Sequence, residues 1–238
     1  MRIDKFLSNM GIGSRKEVKK YIKDGLVLVN GEVINKPTKK VDIDKDKVEF
    51  QNEELIYEEY IYLMMNKPQG VISATEGYSY QTVVDLLEDK YQKRDIFPAG
   101  RLDKDTEGLM LLTNDGRLAH SLLSPKRGVI KKYYAQVDGV LEERDMEAFE
   151  KGIYFEEEDI HTLPGKLEIL SDHECYVYIQ EGKYHQVKRM LAHVGKEVTY
   201  LKRLSMGSLK LDEDLLEGEY RSLTEKEVEA IKKDGGQQ

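Results

Sequence analysis

The sequence predicts an α+β protein: a small α/β-hairpin domain over residues 1–58, then a larger domain over 59–238 whose mixed, mostly antiparallel sheet is flanked by helices. Three observations carry this. Apolar runs of strand length follow one another as often as they alternate with stretches of helical period, as at residues 167–170 and 176–179. Of 238 residues 39% are hydrophobic and 15 are Tyr, which suffices for a packed core and excludes global disorder. Charge divides the chain: residues 1–40 hold ten Lys or Arg against four acids, net +6, and the rest holds 27 bases against 41 acids, net −14. A basic head on an acidic body points to a polyanionic partner for the head.

Composition also excludes classes. No apolar run approaches the roughly 18 residues of a membrane span, and Met1-Arg2-Ile3-Asp4-Lys5 leads into no apolar secretion core. The single cysteine, Cys175, lies in the apolar run Cys175-Tyr176-Val177-Tyr178-Ile179, where it reads as core. With no internal disulfide available, a cytoplasmic protein is expected, as a monomer and without a membrane partner. The five histidines, at 120, 161, 173, 185 and 193, show no metal-ligand pairing, so no metal is expected.

Taken in order, Ile3, Phe6, Leu7 and Met10 have helical spacing, and Gly11 and Gly13 stop that helix. Ser14-Arg15-Lys16-Glu17 reads as a capping box opening a second helix, which buries Val18, Tyr21 and Ile22 and gathers Lys16, Lys20 and Lys23 on one face. Like charges so spaced repel, and phosphate would relieve them. Leu26-Val27-Leu28-Val29, the Asn30-Gly31 turn and Glu32-Val33-Ile34 form a hairpin. Residues 41–60 are expected to be a last strand and a short linker. In the second domain Ile61 to Met65 is a buried strand, residues 71–74 are extended again, and Thr82 caps a helix through Leu87. Further on, helices are expected around Leu118–Leu123, residues 146–149, 185–194 and 224–233, strands over 133–137 and 198–206, and a frayed tail over 234–238.

Between these lies Phe97-Pro98-Ala99-Gly100-Arg101-Leu102-Asp103-Lys104-Asp105-Thr106-Glu107-Gly108, which runs into Leu109-Met110-Leu111-Leu112-Thr113 and the Asn114-Asp115-Gly116 turn. Two apolar runs flank a charged loop, the arrangement by which a rigid scaffold presents polar side chains. Its three acids leave several readings open: a solvated hairpin, an acid–base pair for glycoside hydrolysis, or one covalent nucleophile.

The company of these residues narrows the choice. Gly100-Arg101-Leu102-Asp103 with Thr106-x-Gly108-Leu109 resembles the catalytic loop of the RsuA family of bacterial rRNA pseudouridine synthases. Lys67-Pro68-x-Gly70, Lys131-Lys132-Tyr133, Gly182-Lys183-Tyr184-His185-Gln186-Val187-Lys188-Arg189 and Leu201-Lys202-Arg203 with Gly207 resemble the family's other motifs, in its order. Arg2-Ile3-Asp4-Lys5-Phe6-Leu7, Ser14-Arg15-Lys16 and Val29-Asn30-Gly31 resemble an S4-like RNA-binding domain.

The resemblance implies an isomerase. It breaks the N1–C1′ bond of uridine, turns the uracil and joins its C5 to C1′; because atoms are only rearranged, no cofactor is required. It implies Asp103 as the carboxylate that attacks or shields the sugar, or adds to the base, and Lys188 as its fixed cation, where the family often has Arg; a lysine is a point charge, not a bidentate clamp. Tyr133 would lie flat against the uracil, and Arg101 would help displace the target base from its stack. Arg2, Lys5, Ser14, Arg15, Lys16, Lys19, Lys20, Lys23 and Asn30 would bind RNA. Asp105 and Glu107 are left as loop-shaping groups, and His185 and Gln186 as positioning ones. Asp4-Lys5-Phe6-Leu7, Lys104-Asp105-Thr106-Glu107-Gly108 and the stretch Tyr184 to Arg189 look closer to the small-subunit branch. The expected partner is therefore 16S rRNA or an assembling small ribosomal subunit. The competing readings are a 23S rRNA enzyme of the same family, a non-catalytic assembly factor that clasps rRNA, and a glycoside hydrolase using Asp103 and Glu107.

Overall fold

The structure is a computed structural model that describes residues 1–237. It divides into two compact units, Met1–Ile61 with Val84–Ile96, and Tyr62–Val83 with Phe97–Gln238. Contacts thus group residues 84–96 with the N-terminal unit, apart from the neighbours in sequence that the reading above placed in one domain with them.

In the N-terminal unit, α1 (Ile3–Asn9) buries Ile3, Phe6 and Leu7 and ends where Gly11 takes a φ of +73°. The second helix, α2 (Arg15–Lys23), opens at the expected capping box: Ser14 Oγ accepts from Glu17 N at 3.4 Å, and Glu17 Oε2 accepts from Ser14 N at 2.8 Å. β1 (Val27–Val29) and β2 (Glu32–Val33) form the hairpin, paired Leu28↔Val33. Residues 41–60, expected to hold one strand, hold two, β3 (Val48–Phe50) and β4 (Glu53–Leu55), and the sheet order is β2-β1-β3-β4. The turn joining them places Gln51 and Asn52 at φ +52° and +69°, a left-handed pair without the glycine that signals such a turn in a sequence. Val18, Ile22, Val27, Val29 and Val48 close the core with α1, and Phe6 packs on Tyr57 at 5.1 Å between ring centroids.

The helix expected from Thr82 through Leu87 is absent; that stretch is a series of turns, and the helix here is α3 (Asp89–Gln92). Its start is drawn into extended pairing instead. Ile72 bridges Thr82, with Ile72 N donating to Gln81 O and Val83 N to Ile72 O, which holds the start of the stretch alongside Ile72.

The larger unit is a nine-stranded sheet flanked by helices. Its strands are β5 (Tyr62–Lys67), β6 (Phe97–Pro98), β7 (Glu107–Thr113), β8 (Lys131–Asp138), β11 (Lys166–Ser171), β12 (Glu174–Ile179), β13 (Glu197–Met206), β14 (Leu209–Lys210) and β15 (Tyr220–Ser222); β9 (Tyr154–Phe155) and β10 (Ile160–His161) pair separately. The order is β11-β12-β8-β13-β7-β5-β15, with β6 on β7 and β14 on β13. Among the described residues β7 and β13 form the parallel pair, so the sheet is mixed and mostly antiparallel. That junction needs Gly108: at φ +100° it faces Arg203, and a Cβ there would lie 2.3 Å from Arg203 O.

The helices are α4 (Gly116–Leu123), α5 (Glu143–Lys151), α6 (Gln186–His193) and α7 (Glu225–Asp234). Asp115 caps α4 by accepting from Arg117 N and Leu118 N, which fixes the chain just beyond β7. Leu118, Leu122 and Ile231 pack with Leu109, Leu111, Met64 and Met206 into the core under the sheet. The tail expected to fray is closed through Gln237: Gly236 at φ +70° lets its N–H reach Lys233 O and lets Gln237 N reach Lys232 O, a Schellman cap. Gln238 lies outside the described residues. Among those described, no helix is long and apolar enough to cross a membrane, and no cluster of His, Cys, Asp or Glu is arranged to hold a metal ion.

Candidate active site and RNA-binding surface

The charged loop between β6 and β7 is pinned from beneath. Lys67, the last residue of β5, is fully buried, and its Nζ donates to the carbonyls of Pro68 (3.0 Å), Asp103 (3.1 Å), Lys104 (3.4 Å) and Thr106 (2.8 Å). Burial pushes this ammonium down to about 8, against the opposing pull of Asp105, Asp103 and Glu107. Ser73 Oγ donates to Leu102 O at 2.8 Å and accepts from Leu102 N at 3.0 Å. The backbone on both sides of Asp103 is thereby held by side chains from another part of the chain.

Two basic groups face the Asp103 carboxylate. Lys188, from α6, sits 3.4 Å from Oδ2, and His185 Nε2 sits 3.5 Å from Oδ1. Lys188 divides its charge, with Asp105 Oδ1 nearer at 2.5 Å; the hydrogen bond from Lys188 holds the Asp105 carboxyl below the usual carboxylate range. Asp105 therefore tethers the cation that also faces Asp103, a role finer than loop shaping. Glu107 is buried and accepts from Tyr200 OH at 2.6 Å, across the β7–β13 junction. Burial, with Glu107 second, pushes the Tyr200 hydroxyl up.

His185 precedes α6 with a φ of +47° and stacks on Tyr184 at 3.8 Å between centroids. Gln186 is buried, its Nε2 donating to Glu181 Oε1 at 2.9 Å and its Oε1 accepting from Lys183 N at 2.9 Å.

A cleft of about 610 Å³ is lined by Arg101, Asp103, Tyr133, Tyr184 and His185. Arg101 is exposed, whereas Tyr133 is buried on β8. The structure thus brings Asp103, Lys188, Tyr133 and Arg101 into one neighbourhood. It also adds three buried cations that residue-by-residue reading left without a role: Lys67, Lys131 and Arg203. Their signal in the sequence was a lysine or arginine inside a strand pattern, as at Lys131-x-Tyr133, where a charge on the buried face requires a partner.

On the N-terminal unit, Arg15, Lys16, Lys19, Lys20 and Lys23 are all exposed on α2, and Lys5 is exposed on α1. The other expected RNA-binding residues are engaged within the fold. Arg2 forms a two-pronged pair with Asp4 (3.0 and 2.6 Å), Ser14 serves the cap, and Asn30 donates to Asp46 at 2.8 Å and accepts from Lys47 N at 2.9 Å.

Comparison with known proteins agrees with this architecture. The family described as "RNA pseudouridylate synthase" matches residues 61–193, and the S4 domain matches residues 1–48. A Bacillus subtilis protein named "Uncharacterized RNA pseudouridine synthase YtzG" is 51% identical over 97% of this chain and 98% of its own. "Ribosomal small subunit pseudouridine synthase A" of Haemophilus influenzae is 40% identical over 98% of this chain and 100% of its own. A solved structure described as "Crystal structure of pseudouridylate synthase" is similar at a TM-score of 0.69 and 38% identity, covering 97% of this chain and 99% of that one. With a pinned central loop, an S4 domain ahead of it and relatives matching along the whole length, the chain belongs to the RNA pseudouridylate synthase family, enzymes that isomerise uridine in RNA to pseudouridine.

Proposed function

We propose that this enzyme isomerises one uridine of small-subunit 16S rRNA, with Asp103 as the reacting carboxylate. The observation that carries the reading is the setting of Asp103: an acid on a pinned loop, at the wall of a cleft, with Lys188 and His185 on its two oxygens. A carboxylate that must stay ionised while substrate excludes water needs such fixed positive charge. The 16S assignment is supported by the relatives in Haemophilus influenzae, Vibrio cholerae and Escherichia coli named "Ribosomal small subunit pseudouridine synthase A", at 40%, 41% and 36% identity. Residues 1–58 dock on folded rRNA, free or in an assembling small subunit, through the lysines of α2. Residues 59–238 carry out the chemistry in the cytoplasm, as a monomer.

In this mechanism the target uridine leaves its stack, which brings its sugar within reach of Asp103. Arg101 supports the displaced strand and Tyr133 holds the ring during its rotation. The N1–C1′ bond breaks, C5 bonds to C1′, C5 loses its proton and N1 gains one. Substrate and product hold the same atoms, so the reaction draws on no cofactor. Mapping pseudouridine in 16S and 23S rRNA from cells lacking this protein tests the assignment. One 16S position is expected to lose its pseudouridine and regain it when the wild-type chain is restored. Loss at a 23S position with 16S unchanged would overturn it.

A further inference from the structure

Lys131 and Tyr133 lie two residues apart on β8, so their side chains share the buried face of the sheet. Arg203 on β13 is the cross-strand partner of Tyr133, which places it beside the same ring. All three line the cleft with Asp103, and Lys131 and Arg203 are only 3% and 2% exposed. Other cations here are matched: Lys188 by Asp103 and Asp105, Lys183 by Glu181, and Lys67 by four carbonyls. Lys131 is not. Its Nζ lies 3.4 and 3.5 Å from the carbonyls of Val129 and Gln180, and among the described residues no carboxylate is within ion-pair distance of Lys131 or Arg203. Burial, with the charge of Arg203 added and the more distant Glu181 opposing, pushes the Lys131 ammonium down to about 8.

A buried cation held so loosely is destabilising unless a partner arrives. We infer that Lys131, with Arg203 beside it, is a catalytic residue that stabilises the negative charge uracil acquires when its bond to the sugar changes. This deepens, and rests on, the assignment of Asp103. A displaced nucleotide enters base first, leaving its phosphate toward the exposed Arg101 and bringing its base to the buried cations. The base enters neutral. If Asp103 bonds to C1′, the electron pair of the broken N1–C1′ bond stays on the base, spread over N1, O2 and O4. If Asp103 adds to the base, the displaced pair spreads to C5 and O4. On either route charge falls on the ring, and it is withdrawn once C5 has bonded to C1′, the carboxylate has left, the C5 proton has departed and N1 is protonated. A cation that meets its counter-charge only as the reaction proceeds lowers the barrier without tightening ground-state binding.

The test compares full-length wild type, Lys131→Met, Lys131→Arg and Asp103→Asn on unmodified 16S and 23S rRNA transcripts tritiated at uridine C5. Single-turnover tritium release is followed, and RNA affinity and thermal stability are measured in parallel. Removing the charge with Lys131→Met is expected to slow release by about 10²–10³-fold, the usual effect of deleting one preorganised electrostatic group. Affinity should be unchanged, and Lys131→Arg should recover part of the rate. In transcripts carrying 5-fluorouridine, whose base is the stronger acid and better leaving group, the Lys131→Met defect in N1–C1′ cleavage should shrink. Weakened affinity with an unchanged rate would place Lys131 on a phosphate and overturn the inference. So would an unchanged rate, or a defect equally large with 5-fluorouridine. If Asp103→Asn releases tritium like wild type, the assignment of Asp103 falls, and this inference with it; if Asp103→Asn is inactive and Lys131→Met is not, this inference alone falls.

Discussion

Lys67 shows how a single buried side chain can set the geometry of a loop it does not belong to. Four carbonyls converge on its Nζ, three of them from residues 103–106, and no water-exposed surface remains to replace it. Lys67→Met keeps the volume and removes the donor, leaving buried carbonyls unsatisfied at about 1–3 kcal/mol for each that finds no water. Urea unfolding is therefore expected to show a loss on the order of 3 kcal/mol, with turnover falling because Asp103 is no longer fixed. That Asp103, Tyr133, Lys188 and Arg101 would lie near one another was legible in the sequence, because each sits in a motif whose order could be matched. The grip of Lys67 on the Asp103 backbone was not, since it joins residues 36 apart through the backbone oxygen, which carries no residue-type signal. The approach of His185 to Asp103 was hidden for a similar reason: it depends on a left-handed backbone at a histidine.

At the level of elements, local chemistry was readable where it was self-contained. The capping box at Ser14 and the alternation along β8 need only a few adjacent residues. The stretch 82–87 and the β3–β4 hairpin were misread because pairing with Ile72, in one case, and a glycine-free left-handed turn, in the other, decide the outcome. The parallel seam of β7 and β13 gives a sharp test. Gly108→Ala would combine a φ of +100° with a Cβ 2.3 Å from a backbone oxygen, and is expected to cost on the order of 3 kcal/mol in denaturant unfolding. A loss below about 1 kcal/mol would mean that the seam tolerates widening. The closing helix gives another. Arg221 holds Glu227 through NH1 and NH2, each at 2.9 Å, and Asp212 through Nε at 2.6 Å. Arg221 holds the Glu227 carboxyl down to about 2, with burial opposing and the Thr224 cap assisting. A carboxyl whose folded value lies below its unfolded one stabilises fully above the ordinary value of 4.5, and that contribution is lost as pH falls toward 2. Arg221→Ala is thus expected to raise the pH of acid unfolding, followed by far-UV circular dichroism.

Over the whole molecule, charge is partitioned by function. The N-terminal 40 residues are net +6 within a chain of net −8, and the S4 match falls on this basic part while the synthase match falls on the acidic remainder. An acidic enzyme that acts on RNA needs a separate surface to offset its own repulsion of phosphate. Replacing Lys16, Lys20 and Lys23 together by Ala should weaken binding to long rRNA. It should also reduce the slope of log affinity against log salt by about 2–3, if each lysine meets one phosphate. An unchanged slope would remove α2 from the docking surface. The role of Asp103 is tested most directly by the pseudouridine yield of Asp103→Asn on unmodified rRNA, with RNA affinity recorded beside it. Asn keeps the shape and discards the negative charge, so no pseudouridine above background is expected while rRNA is bound as tightly as by the wild type. Full yield with Asn at position 103 would contradict the role of Asp103.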